Sequence, residues 1–167
     1  NIYPELNKKF KFTKEKKEKI NIGFISKFFN NHTIGKLFKG IIFNLNNKDF
    51  NVNVFHLENE NISVDFLDKE KELKIKNFTL PKAFNEKINI ILKTNLDLIV
   101  YPDIGMSTEL YYLTFIKLAK KQMTSWGHPE STGNPNIEYF LSSKLLEIEN
   151  SQNHYSEKLL LSNYLPM

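Results

Sequence analysis

Five side chains able to do chemistry sit in three short polar stretches of this chain. His32 lies within residues 27–33, Asp103 within residues 102–107, and His128, Ser131 and Thr132 within residues 126–136. An imidazole with an ordinary pKa of about 6.5 gives or takes a proton near neutrality. A carboxylate can take one, and hydroxyls and loop N–H groups can bind anions. The densest stretch is Trp126-Gly127-His128-Pro129-Glu130-Ser131-Thr132-Gly133-Asn134-Pro135. Its glycines open backbone angles closed to other residues and its prolines fix φ, so the chain must turn sharply there.

Several chemistries fail on spacing. The two histidines and the aspartate come from separate stretches, and no pair has the i,i+4 spacing of a helical metal site, so no metal is expected. There is no Gly-x-Ser-x-Gly elbow for a serine hydrolase, no Gly-x-Gly-x-x-Gly dinucleotide turn and no phosphate-binding P-loop. Gly23 and Gly35 are isolated. Plainer roles exist for each candidate. His32 can cap or brace a helix, Asp103 can form a turn, and Trp126 can pack under its loop. His56 and His154 receive no function.

The elements that carry these stretches follow from apolar periodicity. Residues 20–26 read as a buried strand. Thr33 can cap a helix whose apolar positions are Ile34, Leu37, Phe38, Ile41, Ile42 and Leu45. Residues 50–57 alternate as a second strand, residues 58–61 are loop, and residues 64–73 form a charged amphipathic helix. Residues 76–80 make a short strand. Pro81 opens a helix carrying Phe84, Ile88, Ile91 and Leu92. Residues 96–101 are the clearest buried strand. Ser107 or Thr108 can cap a helix over 109–119, and strands at 122–125 and 137–142 flank the glycine-proline loop. Beyond that the chain reads as short helices and loops. Alternation of this kind predicts an α/β, Rossmann-like parallel sheet with helices on both faces. In such a sheet the loops that follow strands share one edge, which brings the three polar stretches together.

Composition narrows the partners. A chain of 167 residues is about one domain. Its 41% hydrophobic and 13% aromatic content supports a real core. There is no cysteine, so a reducing, cytoplasmic setting is the default expectation. No apolar run approaches the roughly 20 residues that span a bilayer, and no membrane partner is expected. The net charge of +4 is uneven: residues 8–19 hold seven Lys and two Glu, while the rest of the chain is slightly negative. All 23 basic residues are Lys, and the guanidinium fork suited to phosphates and guanine is absent. A solvated linker over residues 1–19 is therefore expected, not a nucleic-acid arm. The chain does not begin with Met, and it is expected to be cut from something longer.

The segment from Gln122 through Trp126-Gly127-His128-Pro129-Glu130-Ser131-Thr132-Gly133 to Ile137-Glu138-Tyr139-Phe140-Leu141-Ser142-Ser143 resembles the catalytic region of the O-GlcNAc transferase family. That family includes bacterial proteins with helical repeats, plant SPINDLY-type enzymes and bacterial N-glucosyltransferases of adhesins. Three further segments resemble it in the same order: Ile22-Gly23-Phe24-Ile25-Ser26 with Asn31-His32, Leu96 through Pro102-Asp103, and His154-Tyr155-Ser156-Glu157-Lys158-Leu159. The resemblance covers about residues 18–166.

The resemblance implies the first half of a two-domain GT-B glycosyltransferase, with residues 20–167 as the N-terminal Rossmann-like subdomain. It also implies a second catalytic domain after Met167 and tetratricopeptide helices before Asn1. The implied reaction is metal-independent, inverting transfer from a UDP-sugar, UDP-GlcNAc being the first expectation, to a protein or peptide side chain. No cofactor is implied. His32 matches the family histidine at the cleft and is the catalytic candidate. Gly127, His128, Pro129 and Thr132 match a loop that closes on sugar and phosphate, and Asp103 matches a substrate-binding position. Many members have Tyr where His128 stands. The alternative is a non-catalytic α/β module that binds protein or peptide through its open edge.

Overall fold

The computed structural model describes residues 10–12, 18–57, 62 and 64–165. Most of the 1–19 linker and the loop at 58–61 lie outside the described residues. Seven strands form one all-parallel sheet: β1 (Ile20–Ile25), β2 (Phe50–Leu57), β3 (Lys76–Leu80), β4 (Leu98–Tyr101), β5 (Lys121–Ser125), β6 (Tyr139–Ser143) and β7 (Lys158–Ser162). Four α-helices join them: α1 (Thr33–Asn44), α2 (Val64–Glu72), α3 (Phe84–Lys93) and α4 (Thr108–Thr114). A 3-10 turn, Ser151–His154, precedes β7.

The order across the sheet is β3-β2-β1-β4-β5-β6-β7. It runs outward in one direction from β1 and in the other from β4, so the chain reverses its winding between those strands. The crevice beyond the carboxyl ends of two such strands is where open α/β sheets take their ligands.

Strand side chains alternate between two cores, as the period of two demands. Ile22, Phe24, Val52, Val54 and Val100 face α1 and α2, where Ile34, Phe38, Ile42 and Phe66 cover them. Ile25, Phe55, Ile99 and Tyr101 face the other way, against Ile88 and Ile91 of α3 and Leu110 and Leu113 of α4. Helices thus cover both faces, as the alternation predicts.

Three local expectations are corrected. His32 caps α1 in place of Thr33: its Nδ1 accepts from the Ile34 N–H at 3.2 Å. The helix expected over 109–119 ends at Thr114. There the Thr114 carbonyl accepts from the Gln122 side-chain amide and the Phe115 carbonyl from that of Asn136. These bonds come from β5 and the loop beyond it, and they satisfy the last carbonyls without further helix. Residues 158–162, expected as helix or loop, form β7, because Leu159 and Leu160 pair with Phe140 and Leu141 of β6.

Candidate functional site

The loops after β1, β4 and β5 meet at the carboxyl edge, beside the reversal of strand order. Their contacts are close. Gly127 lies so tightly against the Pro102 carbonyl that a side chain there would enter it, and it would also meet Ile34 of α1 at 2.9 Å. A side chain on Gly105 would meet the His128 ring at 3.3 Å. The Gly127–His128 segment therefore wedges between the first turn of α1 and the loop after β4. Trp126 stacks on Phe38 of α1 with ring centroids 5.2 Å apart, which is the packing role expected of it.

His32 is exposed at the start of α1. Its backbone N–H donates to Asn30 Oδ1 at 2.8 Å, and its ring lies 4.5 Å from that of Phe28. Because Nδ1 accepts from Ile34, the neutral ring carries its proton on Nε2. In that state the outer nitrogen donates a hydrogen bond. Uptake of a proton requires Nδ1 to release the helix cap.

Asp103 is buried, at 1% exposure. Burial pushes its carboxyl up to about 6, against the opposing pull of a hydrogen bond from Ser26. One carboxyl oxygen, Oδ2, has no partner. A buried, half-satisfied acid between the first and second loops is a proton-exchanging group in the neutral range, a property the turn-forming role does not call for.

The rest of the loop after β5 is held from a distance. Glu157, just ahead of β7, accepts from the Thr132 N–H at 2.8 Å, from Ser131 Oγ at 2.8 Å and from Thr132 Oγ1. Ser156 adds bonds from its N–H to Ser131 Oγ at 2.9 Å and from the Gly133 N–H to its own Oγ at 3.1 Å. Burial alone would raise the Glu157 carboxyl, but the Thr132 and Ser131 bonds outweigh it and hold it below the usual range. The donors of Thr132 are thus committed to Glu157, whereas Gly127 and His128 sit at the seam between loops. Pro129 is exposed.

The structure brings His32, Asp103, Gly127 and His128 to one edge and assigns Thr132 to the fastening of its own loop. Ser26 and Glu157 were missed by residue type. The one signal for Glu157 was its place beside Tyr155 and Ser156 in a recognisable segment. Among the described residues, no group of three His, Asp or Glu is placed to hold a metal ion. None of the described helices is long and apolar enough to cross a membrane.

These strands, their order and the loop cluster define a Rossmann-like α/β unit of the kind that forms one half of a GT-B glycosyltransferase. Among solved structures the chain is similar to a mutant O-GlcNAc transferase of Thermobaculum terrenum, with a TM-score of 0.77 and 16% identity over 89% of this chain. It spans 28% of the length of that protein. At this identity the likeness is one of fold. No protein-family profile matches the sequence, and no curated protein does.

Proposed function

We propose that this chain is the N-terminal catalytic half of a UDP-sugar-dependent protein glycosyltransferase that needs no metal and inverts the anomeric centre. The observation that carries this reading is the seam of Gly127 and His128 against Pro102, Gly105 and Ile34, formed where the winding reverses. The similarity of fold to a glycosyltransferase supports the same conclusion.

In this reading His32 directs its Nε2–H toward the acceptor or the sugar and fixes the in-line approach. The N–H groups of Gly127 and His128 face the leaving diphosphate, where fixed dipoles lower the barrier most. Asp103 lies behind them as a nearby acid. The second wall of the cleft belongs to a further domain.

The test is transfer from a panel of UDP-sugars to lysate proteins by the protein expressed from its full reading frame. His32→Ala should lower turnover by about 10²-fold or more, the size of a lost acid–base or orienting contact. His32→Asn, which can still cap α1, should fall as far. Full rate in both variants rejects the role of His32. Absence of turnover with every UDP-sugar favours the binding-module reading instead.

A further inference from the structure

A groove of about 580 Å³ runs between α1 and α2, on the sheet face covered by both helices. Its walls follow from helical spacing. Lys36, Lys39 and Phe43 recur at three and four residues on α1, and Phe66, Lys69 and Leu73 do so on α2, so each set shares one face. The floor is aromatic: Phe66 is buried, and its ring lies 4.9 Å from that of the half-buried Phe43. Gly40 lines the middle and puts no side chain in the way of a second chain.

The rim is charged on one side. α1 contains two lysines and no acidic residue. Both Lys36 and Lys39 are exposed, and among the described residues no carboxylate pairs with either. On the facing wall Lys69 is already paired with Glu72 at 2.8 Å. The uncompensated charge is thus confined to the α1 rim, above an apolar floor. One end of the groove is formed by Asn30 and Asn31, in the same loop as His32.

We infer that this groove docks an acidic segment of the acceptor protein and leads the side chain to be modified toward His32; this rests on the glycosyltransferase reading above. The length fits a short peptide. From His32 to Phe43 α1 rises about 16 Å, the span of about five extended residues. The segment has acidic residues within the first few positions from the modified side chain, opposite Lys36 and Lys39. It has an aromatic or aliphatic residue about five positions away, over Phe43 and Phe66. Charge sets its register and apolar contact holds it.

The test reads binding to this chain with no sugar donor, by fluorescence anisotropy. The probes are a labelled octapeptide with a central Glu pair and a distal Phe, the same peptide with Lys in place of Glu, and the same with Ser in place of Phe. The acidic peptide should bind best, and more weakly as salt rises. The double variant Lys36→Glu, Lys39→Glu, with its thermal melt checked against the parent, should bind it about tenfold or more weakly and should recover affinity for the Lys peptide. Equal binding of all three peptides, no effect of the double variant, or full displacement by inorganic phosphate alone overturns the proposal. Acidic-peptide binding without sugar transfer by the full-length protein would remove the enzyme reading and leave the groove standing. Transfer without acidic preference would do the reverse.

Discussion

The His32 loop is fastened almost wholly by bonds to near neighbours, whereas the His128 loop is fastened by residues more than twenty positions away. In the first, Ser26 Oγ accepts from Phe28 N–H, Asn30 Oδ1 from His32 N–H, and His32 Nδ1 from Ile34 N–H, each across two residues. In the second, Ser156 and Glu157 close on Ser131, Thr132 and Gly133. The two loops then meet through Gly127 and Ile34. One side of the site therefore depends on the integrity of a helix end, and the other on the ionisation of a distant carboxylate.

The largest effect should come at their junction. Gly127→Ala drives a methyl group into the Pro102 carbonyl, a backbone atom that cannot swing away. Urea unfolding should show a loss of about 3 kcal/mol, at the upper end of overpacking costs. An unchanged midpoint would mean that the loops do not touch.

Next comes the distant fastening. Glu157→Gln keeps the shape but loses the charged acceptor of three hydrogen bonds, and should cost about 2 kcal/mol at pH 7. The sign with pH is fixed by the lowered carboxyl. A depressed folded pKa gives stability that is whole above the unfolded value of about 4.3 and is lost as pH falls through the folded one. The gap between parent and variant should therefore close in acid. A constant gap from pH 7 to pH 3 would assign Glu157 a packing role only.

The smallest effect should come from the local fastening. His32→Ala removes one cap and should cost about 1 kcal/mol, while His32→Asn, with its good capping side chain, should cost less than half of that. Thermal melts of the two variants separate the cap from any chemistry of the ring. Equal losses would show that the ring itself, through Phe28, matters more than the cap.

The same contrast explains what could be read from the residues. β2 and β3 emerge at Phe50–Leu57 and Lys76–Leu80 because alternation and flanking turn residues are local signals. The capping alternative for His32 was legible for the same reason. The end of α4 was not, because Gln122 and Asn136 reach back from later in the chain to take its carbonyls. β7 was hidden likewise: Leu159-Leu160-Leu161 carries no period, and only pairing with β6 makes it a strand. Glu157 looked like one acid among many until Thr132 was seen to lie against it.

Asp103 carries a last consequence. With its carboxyl titrating at about 6, the shared rim passes from neutral to singly negative between mildly acidic and physiological medium. A buried charge there repels any phosphate drawn to the same loops. Acidification through that interval should tighten the hold on an anionic ligand, so the crevice answers to the proton concentration of its surroundings without any moving part.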